Sequence, residues 1–146
     1  MKHYRPAVFI VTYRKERKKV FYLLLKRKLH WKGWEFPKGG IEAGEGLLRA
    51  AKRECWEECG QRPKKIAMFP YSGKYKYQKI LSDRPGVKGQ TWALFGAEVS
   101  GNKVKFDGRE HSDYEWVDFK EAEKRLTWPN QKKCLKIVNG EITNKG

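Results

Sequence analysis

The chain has 146 residues, and its 33 lysines and arginines against 17 acidic residues give a formal net charge of +16. This length predicts one domain with a single core, and the apolar runs Ala7–Val11 and Val20–Leu25 are far too short to cross a bilayer. We find no charged leader followed by a long apolar stretch, and the odd number of cysteines, 3, argues against a disulfide framework. We therefore expect a cytoplasmic protein rather than a secreted or membrane-inserted one.

The positive charge is spread along the whole chain, so solubility explains part of it. Such a field also attracts polyanions, which include nucleic acid, polyphosphate ligands and anionic membrane surfaces. Five of the acidic residues fall in one short segment, which leaves the rest of the chain even more basic: Glu42, Glu45, Glu54, Glu57 and Glu58.

The first part of the chain predicts two strands, Ala7–Tyr13 and Lys19–Lys26, because both runs are rich in Val, Ile, Phe and Tyr. A basic turn at residues 14–18 joins them. A loop with several aromatic residues, Leu29–Gly40, follows and leads into the acidic segment.

The acidic segment predicts a helix that starts near Glu45 and ends before Gly60, a residue that favours helix termination. Residues three and four apart share a helix face, so Glu54 and Glu58 are neighbours and Glu57 flanks them. A cation among them would relieve their repulsion, and oxygen ligands suit Mg²⁺ or Mn²⁺. The alternative is a solvated acidic face. An adjacent stripe would bury the helix: Leu48, Ala51, Cys55 and Cys59.

The second part of the chain predicts further strands and two helices. The predicted elements are one or two strands at Ile66–Tyr77, a loop at Ser82–Gly89, strands at Gln90–Val99 and Tyr114–Val117, a helix after Asp118 to about Leu126, and a helix from Pro129 through Val138. Strands that bracket a central helix, with helices at the end, predict an α/β (α+β) helix–sheet–helix sandwich.

The acidic segment resembles the Nudix box, the signature of hydrolases that cleave nucleoside diphosphates linked to another group. Its fixed positions read Gly39, five residues, Glu45, seven residues, then Arg53-Glu54-x-x-Glu57-Glu58-x-Gly60, and all seven are present. The resemblance implies that residues 1–146 form a single Nudix hydrolase domain with a mixed β-sheet between helices. The chain departs from the family at Cys55 and Gln61, where aliphatic residues are expected.

Three further stretches resemble particular Nudix groups. Trp34–Gly40 resembles the approach to the box in dinucleoside polyphosphate hydrolases and RNA 5′-pyrophosphohydrolases, and Gly89–Trp92 is similar to both. Glu110-His111-x-x-Tyr114-x-Trp116 resembles a stretch of diadenosine tetraphosphate hydrolases.

The resemblance implies roles for the acidic residues and for one arginine. Glu54 and Glu58, then Glu57 and the Gly39 carbonyl, would hold Mg²⁺ or Mn²⁺. Arg53 would orient these glutamates and Glu45 would anchor the loop to the helix. Glu110, with Glu98 as a weaker competitor, would supply a further ligand or the catalytic base, a role that is also open to Glu54 and Glu57.

The remaining predictions concern the substrate. Lys38 would contact phosphate, and Trp34 and Tyr77 would stack on a base, while ordinary packing is at least as good an explanation for Trp31 and Tyr75. The favoured substrate is a dinucleoside polyphosphate such as diadenosine tetraphosphate. The alternatives are pyrophosphate or cap removal from RNA 5′ ends, and a basic RNA- or ribosome-binding module with a vestigial site. We expect a nucleotide polyphosphate as ligand, RNA as a second candidate, and no membrane partner.

Overall fold

The computed structural model describes residues 2–79 and 81–144 as a seven-stranded sheet with helices on both faces. The strands are β1 His3–Glu16, β2 Lys19–Arg27, β3 Gly33–Glu35, β4 Lys38–Gly40, β5 Lys65–Lys76, β6 Val87–Glu98 and β7 His111–Val117. The helices are α1 Leu47–Cys59, α2 Phe119–Arg125 and α3 Pro129–Asn144. Within these described ranges, no helix is both long and apolar enough to span a bilayer.

The sheet is mixed, as predicted. β1 runs parallel to β6 and antiparallel to β2 and β4. β2 also pairs antiparallel with β3 and β7, and β5 pairs antiparallel with β6. β1 is therefore the central strand. Of the other six strands, β2, β4 and β6 pair with β1 itself, and β3 and β7 pair with β2.

The core lies on both faces of β1, which explains why its sequence is continuously apolar rather than alternating. Ala7, Phe9 and Val11 belong to one cluster, which also contains Leu135 from α3. Residues of the opposite parity in β1 join a second cluster with Ala51 and the other buried residues of α1. The predicted helix–sheet–helix sandwich is confirmed.

The predicted apolar stripe of α1 is wrong at one position. Ala51, Cys55 and Cys59 are buried, as is Ala50, but Leu48 is 47 % exposed. The helix begins at Leu47 rather than near Glu45, and Gly46 is its N-cap. Leu47 and Leu48 are both exposed, whereas Ala50 of the same turn is fully buried, so burial of the helix begins at Ala50. Gly60 ends the helix with φ +74°, as predicted.

Other element boundaries differ from the sequence-based predictions mainly by extension. The predicted loop 29–40 contains β3 and β4, which form because their backbones pair with β2 and β1 although their sequence has no strand pattern. β7 starts at His111 rather than Tyr114, because it pairs with β2 as far as Arg27. α3 continues past Val138 to Asn144.

We expect Leu135→Ala to lower the free energy of unfolding by about 2–5 kcal/mol, since it empties space in the fully buried cluster under α3. Leu48→Ala is the matched control and should cost well under about 1 kcal/mol because the side chain is largely exposed. Urea denaturation followed by circular dichroism measures both. Equal losses in the two variants would show that α3 does not pack on the sheet as described.

Candidate active site

Helix α1, which carries the second half of the box, places two glutamates against the turn at Gly39 and Gly40 that precedes it. Glu54 and Glu58 are buried, whereas the Glu57 side chain is 52 % exposed. A Cβ atom on Gly39 would lie 1.9 Å from the carboxyl carbon of Glu54. Only glycine therefore allows the Glu54 carboxylate to approach the backbone of β4 this closely.

Arg53 connects the turn to the helix through its guanidinium group. It donates hydrogen bonds to both carboxylate oxygens of Glu45, at 2.7 and 2.8 Å, and to the Gly40 carbonyl at 2.9 Å. It also donates to Glu54 at 2.7 Å and to Glu57 at 3.1 Å. Because these bonds are charge-assisted and two of them form a bidentate pair, they hold the Glu54 carboxylate in one orientation.

A buried ionic network lies at the ends of β2, β3 and β7. His111 and Glu35 are both fully buried, and the His111 Nε2 atom donates to the Glu35 Oε2 atom at 2.7 Å. Arg27 donates to Glu35 at 3.2 Å and to Glu110 at 3.5 Å. The Lys38 Nζ atom lies 3.7 Å from the Glu35 Oε1 atom. The cations of Arg27 and Lys38 thus compensate a carboxylate that has no access to water.

These contacts determine which groups are charged. Burial alone would raise the pKa of Glu35, but Lys38, the hydrogen bond from His111 and Arg27 together lower it below its ordinary value. Burial alone would lower the pKa of Lys38, but the charge of Glu35 raises it. Glu35 is therefore an ionised acceptor, and the proton of its hydrogen bond with His111 resides on Nε2.

Glu110 lies in the turn before β7 and is held beside the end of β2. Its carbonyl accepts hydrogen bonds from the backbone N–H groups of Lys28 and Leu29 at 2.9 and 3.3 Å. Its side chain is 27 % exposed. This backbone anchoring keeps the carboxylate at the cavity wall while leaving one side of it open.

The glutamates of α1 and Glu110 line a common cavity of about 140 Å³, which we call the acidic cavity. Glu58, Glu110 and His111 each offer one ligand atom within 4.8 Å of the others. The cavity is lined by Arg5, Arg27, Lys38, Gly39, Gly40, Glu54, Glu57, Glu58, Arg84, Gln90, Asp107 and Glu110. The structure therefore brings together all of the sequence-predicted metal ligands, and Lys38 with them.

Burial, with neighbouring carboxylates adding to it, raises the pKa of both buried box glutamates. Burial raises the pKa of Glu54 to about 7, with Arg53 opposing the shift and Glu57 adding to it. Burial, followed by the charges of Glu110, Glu35 and Glu54, raises the pKa of Glu58 well above its ordinary value. Carboxylates that resist ionisation together are stabilised in their charged form by a bound cation. Their oxygen donors fit a hard divalent ion.

A larger cleft of about 580 Å³ adjoins the acidic cavity. Arg27, Lys38 and Arg84 line both spaces and form the boundary between them. The cleft is lined by Phe9, Arg27, His30, Trp31, Lys38, Tyr75, Lys76, Tyr77, Gln78, Lys79, Leu81, Arg84, Trp128, Pro129, Asn130 and Gln131. It is thus basic near the acidic cavity and aromatic along its walls.

Two aromatic groups stand in this cleft. The Tyr77 hydroxyl accepts a hydrogen bond from Arg84 at 2.8 Å, and the ring packs edge-on against Tyr75 with centroids 6.1 Å apart. Trp31 packs against Trp128 at 5.2 Å with an interplanar angle of 74°. Trp31 and Tyr75, for which ordinary packing was an equal explanation, therefore border the cleft together with Tyr77.

The structure does not bring Trp34 to the cleft. Along β3 successive side chains face opposite sides of the sheet, so Glu35 lies on one face and Trp34 lies on the other, where it packs against the cluster under α3. Its ring lies between Lys26 and Arg125, with the guanidinium carbon 5.6 Å from the ring centroid. In the described part of the chain, Trp34 is not among the residues that line either cavity.

Glu98, the competitor of Glu110, lies at the other end of the sheet. In the parallel register of β1 and β6 it stands opposite Tyr13, whereas Gln90 of the acidic cavity stands opposite Arg5. Eight residues of strand span about 26 Å. Glu98 instead forms an ion pair with Lys64 at 3.4 Å. Its predicted part as a competitor is therefore corrected.

Sequence reasoning missed Arg27, Glu35 and His111 as members of the site. Arg27 carried a weak signal, since it is the second residue after the apolar run Val20–Leu25. Glu35 and His111 stood within stretches already singled out, beside Trp34 and Glu110, but nothing in those stretches indicated that the two would meet. Arg84 gave no signal in its loop.

Comparison with known proteins places this geometry in a family. The NUDIX domain family matches residues 3–136. An RNA pyrophosphohydrolase from a Nitratiruptor species is 33% identical over 149 residues, covering 96% of each protein. An RNA pyrophosphohydrolase from Shewanella denitrificans is 28% identical over 104 residues, which cover 64% of this chain and 60% of that protein.

Solved structures show the same fold at lower identity. A C. elegans Ap4A hydrolase binary complex has a TM-score of 0.76 at 22% identity, covering 96% of this chain and 98% of that one. A Listeria monocytogenes protein described as a Nudix hydrolase has a TM-score of 0.78 at 23% identity, covering 95% and 94%. The family match over residues 3–136 and the relative at 33% identity show that the chain belongs to the Nudix family.

Proposed function

We propose that residues 1–146 act as a single Nudix hydrolase domain that uses Mg²⁺ or Mn²⁺ to cleave a phosphoric anhydride bond of a nucleotide polyphosphate. The observation that carries this proposal is that the acidic cavity and the larger cleft adjoin each other. An acidic cavity suited to a divalent ion opens past Arg27, Lys38 and Arg84 into a basic, aromatic cleft. A nucleotide polyphosphate matches this arrangement: its phosphates suit the bound ion and the three cations, and its base suits the aromatic cleft.

Five positions would hold the ion or ions: Glu54, Glu57, Glu58, Glu110 and the Gly39 carbonyl. A bound divalent ion supplies an activated water and neutralises phosphate oxygens. Arg53 orients Glu54 by the hydrogen bond described above. We propose Glu110 as the proton acceptor, because its side chain faces the cavity and is partly open, whereas Glu58 is nearly sealed. Glu54 and Glu57 remain the other candidates.

The chain's own cations would bind the phosphates. Arg27 and Lys38 are fixed by Glu35, and Arg84 is fixed by Tyr77, so three positive groups are held at the cavity boundary before substrate arrives. Preorganised charges of this kind provide most of the stabilisation in phosphate chemistry. Aromatic faces in the cleft can stack on a base for about 1–3 kcal/mol each, and we now favour Tyr77 and Trp31 for this role.

The RNA 5′ end is the substrate we favour, in a change from the sequence-based preference. Two observations support it: the related proteins named RNA pyrophosphohydrolase, and the net charge of +16. A dinucleoside polyphosphate is the second candidate, supported by the Glu110–Trp116 stretch and by the similar fold of an Ap4A hydrolase. A vestigial binding module is disfavoured, because the carboxylates that would hold a metal line one cavity. The three buried free thiols suit the reducing cytoplasm that we expect for this protein.

We expect the metal-free protein to lose stability as pH rises. The pKa of Glu54 is raised in the folded state to about 7, above its ordinary value of about 4.3, so its stabilising contribution is complete below about pH 4 and is lost as pH rises through about 7. Glu58 acts in the same direction. Melting temperatures in chelator from about pH 5 to 8.5 should therefore fall, and added Mn²⁺ should restore them at high pH.

Glu58→Gln should weaken both effects, because it removes one of the crowded charges. The matched control is Glu123→Gln, which changes an exposed glutamate paired with Lys136 outside the site. The control should keep the pH dependence and the Mn²⁺ effect of the original protein. If Mn²⁺ leaves the melting temperature of the wild-type protein unchanged at every pH, the proposed metal site is wrong.

We expect Glu110→Gln, at saturating Mg²⁺, to lower kcat by about 10²–10⁴-fold while KM changes little, since it removes the proposed proton acceptor and one charge of the metal site without removing a phosphate contact. Glu98→Gln is the control, because it makes the same substitution at the far end of β6. Steady-state kinetics on both variants, with circular dichroism to confirm folding, provide the measurement. An unchanged rate for Glu110→Gln with a collapse for Glu98→Gln would reverse the assignment.

Salt separates the two substrates. A triphosphorylated RNA of about 12 nucleotides touches many basic residues, so its KM should climb steeply between about 50 and 300 mM salt. Triphosphorylated dinucleotide RNA and diadenosine tetraphosphate contact few lysines and should show shallow dependences. With Mg²⁺ fixed, the turnover of all three is compared. If neither RNA is cleaved at any salt while diadenosine tetraphosphate turns over, RNA is not the substrate.

A further inference from the structure

His111 has a ring nitrogen that the network around it does not use. Its Nε2 atom donates to Glu35, but its Nδ1 atom is fully buried and has no hydrogen-bond partner. A buried polar atom left without a partner normally costs free energy, and such an atom in a folded protein calls for a reason. The surroundings of Nδ1 provide one.

The unpaired nitrogen lies beside Glu58, whose side chain lines the acidic cavity. The nearest oxygen of Glu58 lies 3.9 Å from Nδ1, too far for a hydrogen bond. A ligand oxygen of Glu110 completes a group whose atoms all lie within 4.8 Å of one another. Two bonds of about 2.1–2.2 Å to one ion can span at most about 4.2–4.4 Å, so an ion fits between Nδ1 and Glu58, and Glu110 can join it after a shift of no more than a few tenths of an ångström.

The orientation of the ring is also that of a metal ligand. Histidines that bind metals usually donate their other ring N–H to a carboxylate or carbonyl, which fixes the tautomer. Here Glu35 receives the Nε2 proton, and Arg27 and Lys38 already balance the charge of Glu35. Nδ1 is therefore the ring nitrogen that remains on the side of Glu58.

We propose that the Nδ1 atom of His111 is a nitrogen ligand of a divalent ion shared with Glu58 and Glu110. This inference rests on the proposed metal-dependent function and adds a ligand that the box does not contain. Imidazole suits transition metals, whereas Mg²⁺ favours oxygen ligands. The position that includes His111 should therefore prefer Mn²⁺ or Co²⁺ to Mg²⁺.

The test uses Mn²⁺ bound to the intact protein and electron spin echo envelope modulation, which detects nitrogen bonded to the ion. The chain has only three histidines, His3, His30 and His111, so labelling histidine with ¹⁵N identifies the source. The unlabelled protein should show ¹⁴N modulation, and ¹⁵N-histidine should replace it. This comparison needs no substitution and is independent of any variant's folding.

Variants then assign the nitrogen. His111→Gln keeps an amide donor near the Nε2 position for Glu35 but removes Nδ1, so the modulation should vanish and Mn²⁺ affinity should fall at least about tenfold. Mg²⁺ affinity, measured by calorimetry, should fall much less. His30→Gln is the control, since His30 lies in the cleft and pairs with Asp83, and should keep the modulation.

The possible failures are distinct. Tight Mn²⁺ binding that Glu58→Gln abolishes, without nitrogen modulation in the unlabelled protein, overturns the role of His111 and leaves the proposed function standing. Modulation that persists in folded His111→Gln also overturns it. Absence of Mn²⁺ binding to the wild type, or binding that Glu58→Gln leaves unchanged, overturns the metal site itself and the proposed function with it.

Discussion

Repulsion among crowded carboxylates is the constraint on which the rest of this site depends. Five of them converge at one end of the sheet: Glu35, Glu54, Glu57, Glu58 and Glu110. Two sets of fixed cations offset this charge. Arg53 binds the glutamates of α1 and of the turn before it. Arg27 and Lys38 bind Glu35, and Arg27 also binds Glu110 in the turn before β7.

The two cation sets leave a gap between them. Glu58 accepts no hydrogen bond from an arginine or lysine in the described residues, although it faces the charges of three other carboxylates. It is therefore the point at which the protein's own cations compensate least. The acidic cavity adjoins Glu58 at this point, where a further cationic side chain could otherwise have stood. A divalent ion is the group whose charge and size suit that space.

The parts of this site that could be predicted from sequence are those fixed by local geometry. A helix repeat places Glu54 and Glu58 on one face wherever the helix packs, and the glycine turn and Arg53 are close enough in sequence to meet them. The burial of β1 on both faces likewise follows from its residues alone. Leu48 shows the limit, because helix periodicity indicates a face but not how far along the helix the sheet extends.

The missed parts depend on the pairing between distant strands. Arg27 meets His111 because β2 and β7 pair in a register that brings them opposite each other, and it meets Glu35 because β3 pairs on the same strand. No composition or spacing reveals such a register. Trp34 was assigned to the substrate for a similar reason, since the sequence does not show that β3 pairs beside α2 and that the ring packs there against Arg125 and the cluster under α3.

The net charge and the metal site act over different ranges, which resolves an apparent conflict between them. A field of +16 should repel a divalent cation, but at physiological salt charges beyond about 8 Å are largely screened. Among the described residues, five carboxylates and four cations line the acidic cavity, so the ion meets a locally acidic environment. A long polyanion, in contrast, spans many screening lengths and is attracted by basic residues across the surface. Metal binding is therefore determined by a few local ligands, which makes the identity of each one, including the unpaired nitrogen of His111, decisive for the ion that binds.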